Sequence, residues 1–150
     1  MKREFYVERR RVILRTAKGI DAADYVCQMY PNNRQEKQRE EERNKLETQL
    51  KNVDDGLSVV TVLRQGDKKF IGFIFAKPLN DEHIVFLDLI IPCDSNKRLY
   101  ALDCIKQFVK TLKEEKLCKS ITFEDYTSSE NKEYIEEFLK EYKSRNIQVY

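Results

Sequence analysis

His83-Ile84-Val85-Phe86-Leu87-Asp88-Leu89-Ile90-Ile91, closed by Pro92, is the stretch on which the fold turns. Aliphatic, β-branched and aromatic side chains fill it and Asp88 interrupts them, so 83–91 reads as a strand. Because it is apolar on both faces, it is expected to be central and covered by helices on both sides. Working towards the N-terminus, Phe70–Ala76 (Phe-Ile-Gly-Phe-Ile-Phe-Ala, closed by Pro78) and Leu57–Leu63 (with Val59, Val60 and Val62) are two further strands. The turns between them, Gln65-Gly66-Asp67-Lys68 and Asn80-Asp81, are short enough to imply an antiparallel meander.

Beyond Pro92, Asp94, Ser95 or Asn96 can cap a helix over 98–116. Its apolar stripe is Leu102, Ile105, Val109 and Leu112, which leaves Lys106, Lys110 and Lys113 on the water side. Lys119–Tyr126, with Ile121 and Phe123, is a strand. Thr127 and Glu130 fit a capping box for a last helix striped by Tyr134, Ile135, Phe138, Leu139 and Tyr142. Residues 147–150 suffice for a short final strand.

Upstream of the meander, Val12-Ile13-Leu14 marks a strand near 11–16. Asp21 reads as the N-cap of a helix continued by Ala22, Ala23, Val26 and Met29 and stopped by Pro31-Asn32-Asn33. Residues 34–51 form a mixed-charge helix with spaced pairs such as Glu36 with Arg39 and Glu41 with Lys45. Its apolar residues, Leu46 and Leu50, with Val53 just beyond, come late. It is either a solvated helix anchored at that end or one that covers a partner or substrate. The deduced order, β-α-α-β-β-β-α-β-α-β, is an α+β plan in three layers, a mixed, mostly antiparallel sheet flanked by helices.

The 150 residues are expected to form one domain, 1–150. With 28 Lys+Arg against 26 Asp+Glu the formal charge is +2, which argues against a dedicated nucleic-acid binder despite Arg9-Arg10-Arg11. No apolar run approaches the roughly 18 residues of a membrane span. Met1-Lys2-Arg3-Glu4-Phe5 has no apolar signal region, so the expectation is a cytoplasmic protein with no membrane partner. Cys27, Cys93, Cys104 and Cys118 form no CxxC pair and lie far from His83, so no metal site is expected. They read as buried or half-buried thiols.

Three stretches carry a resemblance. They are Leu14-Arg15-Thr16-Ala17 followed by Asp21-Ala22-Ala23, then Phe70-Ile71-Gly72-Phe73, and finally Phe86–Ile91 with Pro92 and the helix after it. On these, and on the order of elements, the chain resembles the GNAT superfamily of acyl-CoA-dependent N-acyltransferases over about residues 11–150. The resemblance implies that the strands 83–91 and 119–126 splay, with the pantetheine arm between them against the backbone of Leu89, Ile90 and Ile91. It puts the pyrophosphate at the start of the next helix, on Ser95, Asn96, Lys97, Arg98, Leu99, Tyr100 and Ala101, where free N–H groups and the helix dipole favour an anion. That loop lacks the family's glycines, and Lys97 and Arg98 are either phosphate contacts or solvated charges.

For the chemistry, Asp88 is the candidate base that deprotonates the amine. Otherwise it is a paired carboxylate at a bulge or edge, and Glu82 and His83 stand behind it as candidates. Asn131 matches the family's cofactor-side asparagine. Seven residues on stands Phe138, which has no hydroxyl, so Tyr134 or Tyr142 would protonate the leaving thiolate, unless both are core residues. The implied activity is transfer of an acetyl group from acetyl-CoA, a co-substrate, to a primary amine on a small molecule or protein. The competing expectation is a catalytically silent GNAT-like module that binds a partner or small molecule. A homodimer is compatible with either.

Overall fold

The structure, a computed structural model, describes residues 4–80, 82–92, 96–124, 126–142 and 146–148. Their sheet has seven strands in sequential order: β1 (Tyr6–Glu8), β2 (Val12–Thr16), β3 (Val59–Arg64), β4 (Phe70–Pro78), β5 (His83–Ile90), β6 (Ser120–Phe123) and β7 (Asn146–Gln148). All neighbours are antiparallel except β5 and β6, whose parallel pairing is bridged by the helix α3 (Lys97–Glu114).

The period-two alternation of side chains builds the layers. Val12, Leu14, Val60, Val62 and Ile74 face the larger core, filled by Ile105, Phe108 and Leu112 of α3 and Ile135 and Phe138 of α4 (Lys132–Leu139). Ile13, Val59, Leu63 and Phe73 face the other side, under Ala22 of α1 (Gly19–Met29) and Leu46 and Leu50 of α2 (Glu36–Lys51). The three layers expected from the sequence are present. The α3 stripe also holds: Ile105, Val109 and Leu112 are buried, Leu102 packs half-buried on the core, and Lys106, Lys110 and Lys113 are exposed.

Several boundaries differ from the sequence reading. The strand β1 was not expected, since its three residues carry no apolar run. Its hairpin with β2 nevertheless seats buried Phe5 edge-on against Phe108, their ring centroids 6.0 Å apart. Arg9 at the turn bonds Thr111 and Glu114 of α3 and so ties the hairpin to the helix.

The helix α1 begins at Gly19, so Asp21 is its third residue and not its N-cap. The fully buried carboxylate reaches back to the Lys18 N–H at 2.8 Å, accepts two bonds from Arg15 at 2.7 and 2.8 Å, and accepts a third partner, the Thr61 hydroxyl, at 2.7 Å. In α2, Arg39 donates to the carbonyls of Tyr30 and Asn32 and thereby closes the α1–α2 connection. The late apolar residues Leu46 and Leu50 anchor the helix as expected.

The last helix starts at Lys132, later than a Thr127–Glu130 capping box would place it. The Thr127 side chain lies outside the described set. The helix ends at Leu139, so Tyr142 sits in the turn beyond it. The final strand is described over 146–148, and residues 149–150 fall outside.

The strand β5 is central but covered on both faces only in part: Leu87 is exposed and His83, Asp88 and Ile90 are half-buried.

Candidate functional site

One extra residue in β5 decides where its carboxylate points. Phe75 pairs with Asp88 and Ala76 with Phe86, so Leu87 has no partner and forms a β-bulge. Ahead of the bulge Ile84 and Phe86 face the α3–α4 core, and after it Leu89 and Ile91 take that face. Strict alternation would have put Asp88 in this core beside Phe86. The bulge turns it to the opposite face, beside Phe75, with Ile90 beside Phe73. There the Asp88 Oδ1 accepts a bond from the Leu89 N–H at 2.7 Å. Asp88 is thus a bulge carboxylate bonded to backbone and also a residue that lines a cleft.

The same half of β5 runs on past the end of β6. Parallel pairs run from His83 with Ser120 to Phe86 with Phe123, and β5 continues to Ile90 beyond the last of them. Because β6 ends at that last pair, strand pairing along this side of β5 has a gap past Phe86. Asn131, 2% exposed, closes part of it by donating its amide Nδ2 to the Leu89 carbonyl at 2.5 Å, while its Oδ1 is buried without a hydrogen-bond partner.

A cleft of about 190 Å³ opens here, walled by Tyr25, Asp88, Ser128, Ser129, Glu130 and Asn131. A second hollow of about 210 Å³ adjoins it, with Tyr25 and Ile90 common to both and Glu42, Lys45, Leu46 and Phe75 among its walls. Burial raises the pKa of the Tyr25 phenol, and Tyr30, Glu42, Glu130 and Asp88 push it the same way.

The start of α3 is the other half of the expected site. Asn96 takes a left-handed conformation (φ 57°) and its side chain does not cap the helix. The first helical bond runs from the Tyr100 N–H to the Asn96 carbonyl, so the N–H groups before Tyr100 face out of the helix end. Arg98 is bound through two nitrogens to the Glu137 carboxylate of α4. Leu99 is exposed, Tyr100 packs half-buried on the core, and Ala101 is wholly buried in it. Lys97 is half-exposed. Ser95, like Asp94 and Cys93, lies outside the described residues.

The remaining candidates are dispersed. Glu82 pairs with Lys119 at 2.7 Å, and His83 shares hydrogen bonds with Ser120 at 2.6 Å and Thr122 at 3.1 Å. Both stand at the beginning of β5, at the opposite end of the strand from Asp88. Tyr134 packs half-buried against the α3–α4 core, and Tyr142, 41% exposed, packs its ring tilted against Phe138 with centroids 5.2 Å apart. Neither tyrosine lines the Asp88 cleft. Burial, aided by Glu141, raises the Tyr142 pKa and keeps its proton in place. Tyr25, Glu42, Phe75 and Glu130 were not expected at the site, because in the sequence each reads as ordinary helix face, sheet core or loop.

Among the described residues no cluster of His, Cys, Asp and Glu could hold a metal ion, and no helix is long and apolar enough to cross a membrane. No protein-family model matches the chain. No curated protein sequence matches it. A solved structure does: a GNAT-family acetyltransferase from Bacillus anthracis aligns over 79% of this chain and 72% of its own, with a TM-score of 0.56 and 14% sequence identity. The element order, the parallel β5–β6 pair bridged by α3 and this likeness agree, and the chain has the fold of the GNAT acetyltransferases.

Proposed function

We propose that the chain is an N-acyltransferase that moves an acetyl group from acetyl-CoA to a primary amine. The observation that carries this reading is the end of β5–β6 pairing at Phe86 and Phe123 while β5 runs on to Ile90, with Asp88 and the orphaned Asn131 Oδ1 beside the opening. A strand edge past Phe86 whose Leu89 N–H and carbonyl are held by the Asp88 and Asn131 side chains in place of β6 suits an extended, amide-bearing arm such as pantetheine. The first turn of α3 at Asn96, Lys97, Arg98 and Leu99, which the Asn96 side chain does not cap, suits its pyrophosphate.

Acyl-CoA, when bound, supplies a thioester whose carbonyl accepts the amine nitrogen, the C–N bond forming as the C–S bond breaks and the sulfur leaves as the CoA thiol. Asp88 takes the proton from the amine, directly or through one water, and its bond from the Leu89 N–H holds the carboxylate in place. Asn131 holds the β5 edge open by occupying the Leu89 carbonyl. The departing sulfur takes its proton from solvent, since neither Tyr142 nor Tyr134 lines the cleft. The thiols of Cys27 and Cys104, which form no disulfide, suit a reducing cytoplasm.

The engaged Arg98 and the distant tyrosines favour a second reading, a silent module that binds a ligand on the same fold. The test is the melting temperature of the purified protein with millimolar acetyl-CoA, alongside thiol release in the presence of amines. At about 100 times its dissociation constant the ligand adds roughly 2.7 kcal/mol. No shift and no thiol release would leave the silent module.

A further inference from the structure

The two hollows that meet at Tyr25 and Ile90 differ in kind. The first gathers Asp88, Glu130, Ser128 and Ser129, and among the described residues no lysine or arginine lines it. It also holds the Asn131 side chain. The Asn131 Nδ2 is committed to the Leu89 carbonyl, so the unpartnered end is an acceptor, Oδ1, on a residue 2% exposed. A buried acceptor without a donor is costly to leave unmade, and a ligand N–H removes the cost.

The second hollow is walled by Phe73, Phe75, Leu46 and Ile90, with the Tyr25 ring between the two. The rings form one array, with centroids 5.7 Å apart for Tyr25 and Phe73 and 5.8 Å for Phe73 and Phe75. Glu42 and Lys45 bring opposite charges to it and leave no net charge of their own.

We infer that the acceptor is a primary amine on a compact apolar body, aryl or branched alkyl, that carries no anionic group. Its ammonium sits among Asp88, Glu130 and the Asn131 Oδ1, and its body lies over Ile90 against Tyr25 and Phe75. The acceptor role rests on the acyltransferase reading, but the binding of such an amine does not.

Charge decides against amino acids and amino-sugar phosphates, whose anion would stand beside Asp88 and Glu130 with no cation in that hollow to receive it. The apolar wall decides against hydrophilic amines, which would leave Phe75 and Ile90 wet. Size favours a compact acceptor, since the two hollows, about 190 and 210 Å³, together reach only the low end of the roughly 300–1,000 Å³ of sites for drug-sized ligands. The raised pKa of Tyr25 agrees with a carboxylate-rich surround, although burial is its main cause.

The test is calorimetric binding to the full chain without acyl-CoA, using phenylethylamine, n-butylamine, ethanolamine and L-phenylalanine. Phenylethylamine should bind about tenfold or more tightly than L-phenylalanine, which adds only a carboxylate, and more tightly than ethanolamine, which lacks the body. Glu130→Gln, at an exposed position, should weaken every amine several-fold. Phe75→Leu should weaken phenylethylamine more than n-butylamine.

Equal or tighter binding of L-phenylalanine or ethanolamine, or binding of none of the four, would overturn the inference. Acyl transfer to an anionic or hydrophilic acceptor, without phenylethylamine binding, would overturn it and leave the acyltransferase reading intact. Phenylethylamine binding without any acyl transfer would do the reverse.

Discussion

Gly72 and Ile90 meet through backbone alone: a Cβ on Gly72 would lie 2.1 Å from the Ile90 carbonyl oxygen and 3.1 Å from the Ile91 Cα. The end of β5 that carries Asp88 therefore rests directly on β4. Gly72→Ala should push the two strands apart, at a cost of about 1–3 kcal/mol or more because neither side of the clash is a flexible side chain. Urea unfolding reads the stability. Binding of acetyl-CoA should weaken with it, and an alanine variant as stable as wild type would contradict this geometry.

The Asp21 carboxylate joins α1 to the sheet through Arg15, Thr61 and the Lys18 N–H. Removing one partner of a buried ion pair leaves the other charge uncompensated, so Asp21→Ala should cost about 3–5 kcal/mol. Arg15→Met with Asp21→Leu, an apolar replacement of both, should cost less than the single change. Chemical denaturation of the three variants checks the order.

Asp88→Asn keeps an oxygen able to accept from the Leu89 N–H, so the melting temperature should stay within a few degrees of wild type. Acyl transfer should fall by about 10²–10⁴-fold if Asp88 takes the amine proton. Turnover by the folded variant at the wild-type rate would remove Asp88 from the chemistry.

Burial raises the pKa of the Cys104 thiol far above its ordinary value of 9.0, against smaller opposing backbone bonds. The folded state keeps the proton that the unfolded chain loses above about pH 9. The stability this group contributes is therefore fully present below pH 9 and declines above it, by about 1.4 kcal/mol per pH unit. Wild type should lose stability between pH 9 and 10.5 more steeply than Cys104→Ala. Thiol labelling of the native protein should reach exposed Cys27 and spare Cys104 and Cys118.

The periodicity of Leu102, Ile105, Val109 and Leu112, the apolar runs of β2 to β4 and the short turns of the meander were legible because each is a local property of the chain. A strand or helix declares its buried face through spacing alone. From Val12 onward the element order, and with it the three-layer fold, followed from those elements.

Position in space was not legible. Asp88 stood out as a charge in an apolar run, yet its direction depends on the unpaired Leu87, and a bulge is set by the partner strand. Arg98 read as a free cation until Glu137, on another helix, claimed it. Tyr25, Glu42, Phe75 and Glu130 carry no local mark of function, since what joins them is the packing of α1 and α2 over β4 and β5 and the approach of the loop before α4. The sequence by itself determined which faces had to be buried. Only the tertiary structure decided which polar groups the burial left facing one another, because that depends on contacts between residues dozens of positions apart.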